Sequence, residues 1–295
     1  MTTIRSGECL NCGAELGGRF CAECGQRDVP PRPTLAELAG DAYGELVGWD
    51  GKLARTLLLL VRSPGALTRA ILEGERAKFI SPVRLYFACS LAYFLVSAAV
   101  PDPNVARSFD VGISLGTQTA SPKDLAMAHA MSGGFKALDP TERGLVEQTI
   151  GEQPAFVQSI MRAMVTDPQG LQQRAADAMP RVLFVIVPVL AAVLALFNRG
   201  RHFPEHLYFA VLFQAFVFLV LAVQSLSALA DSLAALAVGQ AAAGLVIVAY
   251  GIVAQRRVYG GSWPAAVLKG LGVGVVYLSL WSSVVLGVTV WASRT

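Results

Sequence analysis

Residues 204–254 read PEHLYFAVLFQAFVFLVLAVQSLSALADSLAALAVGQAAAGLVIVAYGIVA, and from Leu207 onward the only charged residue in this run is Asp231. A helix needs about 20 apolar residues to cross the hydrocarbon of a bilayer, so the run divides into two spans. We place them at Leu207–Ala230, with Pro204 at its head, and Leu233–Ala254, with Asp231 and Ser232 marking a tight turn. Working outward, three further apolar stretches read the same way: Pro82–Val100, Pro180–Phe197 and Gly270–Trp291. The first of these begins well, with Ser81 as N-cap and Pro82 at the first helical position. The stretch from Pro180 is the shortest and contains Pro188, so it is expected to kink or to borrow residues upstream from Ala175. Composition agrees: 54% of the 295 residues are apolar and 15% charged, against roughly 25% charged in soluble domains. The mean hydropathy is +0.52. The expected fold class is therefore an all-α polytopic membrane protein of about five transmembrane helices.

Lys and Arg near the span ends orient the chain. Arg69, Arg76, Lys78 and Arg84 surround the start of the first span; Arg199 and Arg201 precede the third; Arg256, Arg257 and Lys269 separate the fourth from the fifth. Residues 101–179 carry six Lys/Arg against nine Asp/Glu, a net of −3. The alternation predicts a bacterial inner-membrane protein with its N-terminus in the cytoplasm and residues 101–179 and the C-terminus outside. The opening residues, MTTIRSGECLNCGAE, have no apolar signal-peptide core, so no cleaved leader is expected.

The segment 101–179 is too long for a structureless loop. Ser121-Pro122, Asp139-Pro140, Gln153-Pro154 and Asp167-Pro168 each place a polar residue before proline, as at a helix start. We expect an extracytoplasmic helical segment, with its last piece running into the second span.

Four of the five cysteines fall within residues 9–24, as CLNCG, then AELGGRF, then CAECG. Cys9 and Cys12 are separated by two residues, as are Cys21 and Cys24, and eight residues separate the pairs. Two such knuckles present four thiolates to one tetrahedral ion, the donor set of a closed structural zinc site. Gly13 and Gly25 allow the tight turn after each pair. A short hairpin with Gly17 and Gly18 at its tip is expected to return Phe20 against the knuckle. So small a module has almost no core, and one zinc per chain would supply most of its folding free energy. The competing readings are a redox dithiol, a disulfide pair or iron. A thioredoxin-like motif needs one CxxC in a βαβ setting, and the cytoplasm opposes stable disulfides. Glu8, Glu15, Glu23 and Asp28 offset Arg5, Arg19 and Arg27, so nucleic acid is not the expected partner of this zinc ribbon and a cytoplasmic protein is. Cys89 reads as a packing residue inside the first span.

After Pro30, Pro31 and Pro33, Thr34 and Glu37 have capping-box spacing ahead of an apolar face through Leu35, Leu38, Ala42 and Leu46. A second helix is expected from Asp50, and Ser63-Pro64 breaks into a third. From Lys52 to Arg84 there are seven basic residues against two acidic ones, and Arg55, Arg62, Arg69 and Arg76 recur every seven residues. Beside Leu57, Leu58, Val61, Leu67 and Ile71 this predicts helices lying in the membrane interface, with Arg55, Arg62, Arg69, Arg76 and Lys78 reaching lipid headgroups. The alternative is a helical hairpin packed on the cytoplasmic ends of the spans, its arginines solvated.

These features together resemble a bacterial membrane family, domain of unknown function 3667. The resemblance rests on CxxC…CxxCGQ, on the TLAEL segment, on the arginine and leucine run ending in Pro64-Gly65, and on the stretch from Gly74 through Arg76 to Pro82. Its matches are Cys9, Cys12, Cys21, Cys24, Pro64, Gly65, Gly74, Arg76 and Pro82, over about residues 9–95. The resemblance implies membrane placement and a zinc ribbon, and no catalytic residue. The expected division is 1–29 zinc ribbon, 30–81 juxtamembrane helices, 82–100 first span, 101–179 outer segment and 180–295 the remaining spans.

The interiors of the five expected spans hold no Lys, Arg, Asp or Glu, which argues against an ion-coupled transporter. Gln214, Gln240 and Ser282 are the intramembrane polar candidates; each also reads as an ordinary interhelical hydrogen bond. Gly270 and Gly274 have GxxxG spacing, for close packing within the chain or to a second copy. With Pro204 opening a helix, His202 and His206 should not share a face, so a second metal or a lipid-directed active site at His202, Glu205 and His206 is the weaker reading. Three histidines in the chain leave most hydrolytic mechanisms without their parts. The expectation is a non-enzymatic membrane protein with a zinc ribbon as docking module; the alternative is a transporter or channel for a small apolar or lipidic solute.

Overall fold

The structure is a computed structural model that describes residues 7–18, 20–27, 52–100, 121–230 and 232–294. The expected helix from Thr34, the proline run before it and the Asp231 side of the turn lie outside the described residues. The protein is an all-α polytopic membrane protein; among the described residues the only β pairing is two isolated bridges near the N-terminus.

Helices α1 (Lys52–Arg62) and α2 (Ala66–Leu72) form a hairpin. Ser63-Pro64-Gly65 breaks it as proline demands, and Gly65 sits at φ 73°. Buried Thr56 donates to the Lys52 carbonyl (2.7 Å) and accepts from the Ile80 N–H (3.2 Å), tying the hairpin to the approach of the first span. That span, α3 (Pro82–Ala99), starts as the sequence demands: the Ser81 hydroxyl accepts from the Arg84 N–H and Pro82 heads the helix.

Each polar–proline pair of the outer segment opens a helix: α4 (Pro122–Gly133), α5 (Pro140–Gly151), α6 (Ala155–Thr166) and α7 (Pro168–Phe197). Ser121 with Asp124, and Asp139 with Glu142, make reciprocal capping boxes. The Asp124 carboxyl is held below its ordinary value by the hydroxyl and N–H of Ser121. Then come α8 (Phe203–Ser225), a 3₁₀ turn over Leu226–Ala230, α9 (Leu233–Tyr259) and α10 (Trp263–Ala292). Ser232 caps α9, and α9 ends at Gly260 with Arg256 and Arg257 in its last turn, where cations suit the helix dipole.

Among the described residues, four helices are long and apolar enough to cross a membrane: Pro82–Ala99, Phe203–Ala230, Ala234–Tyr259 and Trp263–Ala292. The fifth expected span, 180–197, is the far part of α7, and its apolar stretch of described residues is Val185–Phe197. Polar residues of the outer segment are continuous with this apolar stretch in one helix, as expected.

The chain divides into two compact units. In the first (residues 1–101 and 187–277), α8 and α9 run antiparallel: Tyr259 meets His206 and Phe209 near one end, and Tyr250 meets Phe213 and stacks on Phe216 at 3.6 Å further in. Phe218 of α8 packs on Tyr86 and Tyr93 of α3. Glycines set the close approaches. A Cβ added at Gly270 would lie 2.7 Å from Ile252, and one at Gly272 would lie 2.7 Å from Phe197. The GxxxG pair thus divides: Gly270 packs within the chain, while Gly274 has nothing within 4 Å.

The hairpin is built into this unit. Leu60, Leu67 and Ile71 are buried, the Tyr250 hydroxyl donates to the Leu60 carbonyl (2.8 Å), and a Cβ on Gly65 would lie 2.8 Å from the Ala254 carbonyl oxygen. This is the packed hairpin rather than helices lying freely on lipid, because the apolar residues of α2 are used against α9. Only the outer face of α1 keeps the interfacial pattern: Leu58 (50% exposed) and Val61 (52%) stand beside exposed Arg55 and Arg62.

The second unit (residues 102–186 and 278–295) has its own core of Ala126, Ala130, Leu138, Val146, Ile150 and Val165. Arg174 donates to the Ala292 carbonyl (2.9 Å) and the Ser293 hydroxyl bonds that of Ser159 (3.0 Å), which fastens the end of α10 within this unit.

Candidate metal centre and the loop it grips

The two CxxC segments fold alike. Cys9 N–H donates to the Ala14 carbonyl (2.7 Å) and Gly13 N–H returns to Cys9 (2.8 Å); Cys21 N–H donates to Gln26 (2.8 Å) and Gly25 N–H returns to Cys21 (2.9 Å). Gly13 at φ 76° and Gly25 at φ 71° supply the left-handed residue that closes each turn. A bridge closes each knuckle, Glu8 with Glu15 and Phe20 with Arg27. Among the described residues each knuckle closes on itself, and Phe20, expected to pack back against the knuckle, is 62% exposed.

The four sulfurs of Cys9, Cys12, Cys21 and Cys24 lie within 4.8 Å of one another, with Cys9–Cys24 at 3.6 Å and Cys12–Cys21 at 3.5 Å. Four sulfurs about 2.3 Å from one tetrahedral ion stand roughly 3.8 Å apart, so the cluster has metal-binding dimensions. The thiols are not equivalent. The Gln26 backbone N–H, helped by Asn11 and the neighbouring sulfurs of Cys12 and Cys9, lowers Cys24 to about 6. Cys12 is pushed up to about 12, because the pull of the Ala14 N–H is outweighed by desolvation and by the other three sulfurs. The thiolate of Cys24 is thus favoured while that of Cys12 is opposed, as happens when neighbouring groups compete for one charge.

Gln26 links this centre to the membrane part. Its side chain is buried (8% exposed); Nε2 donates to the Gly74 carbonyl (2.8 Å), and Oε1 accepts from the N–H groups of Arg76 and Ala77 (3.1 Å each). Leu10 closes the contact from the first knuckle: a Cβ on Gly74, which sits at φ 99°, would lie 2.8 Å from Leu10 Cδ1. The knuckles are thus seated on the loop between α2 and the first span. Sequence reading saw Gln26 only as part of a motif, since nothing local announces that an amide will satisfy three backbone groups about 50 residues away.

The basic stripe separates into different states. Arg55 and Arg62 are exposed; Arg69 pairs with Glu73 (2.6 Å) and Lys78 with Glu75 (3.3 Å); Arg76 stands apart, with Nε and Nη2 buried. Among the intramembrane candidates, buried Gln214 accepts from the Tyr277 hydroxyl (3.2 Å), while Gln240 and Ser282 have exposed side chains. His202 precedes α8, and its N–H donates to Glu205, which pairs with Arg201 (2.9 Å). His206 is buried inside α8, its Nδ1 2.9 Å from the Tyr259 hydroxyl. Among the described residues no metal-ligating cluster is found beyond the four cysteines.

A family model described as Protein of unknown function (DUF3667) matches residues 50–94, and over the hairpin, the gripped loop and most of the first span the chain resembles that family. No curated protein and no solved structure matches the chain.

Proposed function

We propose that this integral membrane protein is non-enzymatic, resides in a bacterial inner membrane, and uses one structural zinc to hold a cytoplasmic docking module on its own juxtamembrane loop. The observation that carries the reading is the four-sulfur cluster seated through Gln26 on Gly74, Arg76 and Ala77. Zinc is the ion favoured by four thiolates in a closed tetrahedron, which leaves no open position for a substrate. The cytoplasmic side is supported by charge. Arg201 donates to the Val258 carbonyl (3.3 Å), Lys269 lies 3.4 Å from Asn198, and Arg256 lies over Trp263, which gathers the basic loops at one end of the first unit. Exposed Phe20, on a knuckle whose backbone is fully turned, is the residue offered to a protein partner. For a transporter, Gln214 would have to face a passage, whereas its carbonyl is held by Tyr277.

Metal analysis of the full-length protein, with native mass of its detergent complex, tests this. One zinc per chain is expected, and a Phe20→Ser form should keep that zinc while losing the zinc-dependent photo-crosslinks formed from neighbouring position 18. Absence of metal with reactive thiols would make the quartet a redox element instead. Unchanged crosslinks in the Phe20→Ser form would remove the docking role.

A further inference from the structure

Arg76 differs from every other residue of the basic stripe. Its Nε and Nη2 are buried and have no hydrogen-bond partner among the described residues. These two nitrogens form the side-on edge of the guanidinium, the edge whose parallel N–H bonds match two oxygens of a phosphate or carboxylate. The acidic neighbours are already engaged, Glu73 by Arg69 and Glu75 by Lys78. Arg256 also has a buried Nε without a hydrogen-bond partner, but its guanidinium lies 4.2 Å over the Trp263 ring. Among the described residues Arg76 has no such contact, although its backbone N–H is held by Gln26.

Charged N–H donors buried without partners are costly, and the long side chain of half-buried Arg76 can turn toward an anion that satisfies them. Six residues further on, Pro82 begins the first span, so the anions at hand are those of the bilayer surface. We propose that Arg76 seats the phosphate of an anionic phospholipid, gripping two of its oxygens side-on through Nε and Nη2. Gln26 keeps the backbone in place while the side chain swings from its buried position onto the phosphate. Arg55 and Arg62, exposed on α1, add only diffuse attraction to the same surface. The assignment rests on the membrane-surface reading above and not on the identity of the metal.

The full-length protein, reconstituted with mixed phosphatidylglycerol and phosphatidylcholine, is examined by native mass spectrometry and by thermal unfolding with and without phosphatidylglycerol. Wild type should retain phosphatidylglycerol preferentially. Arg76→Gln should retain it about tenfold less, Arg76→Lys should fall between, and Arg62→Gln, which removes only diffuse attraction, should lose far less than Arg76→Gln. Without lipid, Arg76→Gln should melt no lower than wild type, since it removes two buried donors that have no partner; only the lipid-induced rise in Tm should disappear. Equal lipid retention by Arg76→Gln overturns the proposal, as does a Tm lowered equally with and without lipid, which marks a purely structural role. If inorganic phosphate alone raises the wild-type Tm as far as phosphatidylglycerol does, the ligand is free phosphate and the lipid assignment fails. Metal content is measured on every variant, and an unchanged value keeps a failure here separate from a failure of the zinc reading.

Discussion

Cys12→Ser in the full-length protein should lose the metal, unfold residues 7–27 and free the loop at Gly74–Ala77, while helices α8 to α10 persist. Zinc bound by small cysteine modules contributes about 10–16 kcal/mol of folding free energy, far more than any other interaction available to the knuckles. Their backbone bonds are short-range, Phe20 is exposed, and Cys9 and Cys21 are among the few buried apolar residues of the segment. With one ligand gone the module should not hold its shape, and Gln26, two residues beyond Cys24, should leave its three backbone partners. Hydrogen exchange reads this directly: the amides of Arg76 and Ala77 should lose protection together with those of Gly13 and Gly25. If the knuckle amides exchange and those of Arg76 and Ala77 do not, the seating of the module on the loop is wrong even where the metal is right.

The second large effect is at Gly65. Alanine there meets two penalties at once. The backbone sits at φ 73°, where a Cβ costs roughly 1–2 kcal/mol, and that Cβ would lie 2.8 Å from the Ala254 carbonyl oxygen and 2.9 Å from its Cα. Those are backbone atoms, so no rotamer relieves the clash, and overpacking typically adds about 1–3 kcal/mol. Gly65→Ala should therefore destabilise the first unit by about 3 kcal/mol, seen as a large fall in detergent Tm with loss of the Tyr250–Leu60 hydrogen bond. Gly200→Ala is the control, since Gly200 also has positive φ (98°) but nothing within 4 Å of an added Cβ. A Gly65→Ala protein that melts with the Gly200→Ala protein would show that the hairpin does not press against α9.

Much of the fold was legible because its signals are local. Length and apolarity mark the spans, and a polar residue before proline marks a helix start through capping and fixed φ. Ser81, Ser121, Asp139 and Asp167 all stand at helix openings for that reason. The cysteine quartet was legible because two CxxC turns carry their own geometry, closed by Gly13 and Gly25. The start of the second span was less so: in 180–197, apolar residues continue a helix that begins at Pro168, and periodicity does not tell where a polar helix becomes a crossing one.

What the sequence by itself determined is thus the class of protein, its helix starts and the four-cysteine donor set of the candidate metal centre, each decided by residues close to one another along the chain. The tertiary structure alone decided that Gln26 holds Gly74, that Gly65 meets Ala254, and that one arginine of a regular stripe buries two unpartnered nitrogens while its neighbours are paired or exposed. The first two of these join residues 48 and 189 positions apart. Such pairings depend on which faces meet once the helices pack, and no local propensity encodes them.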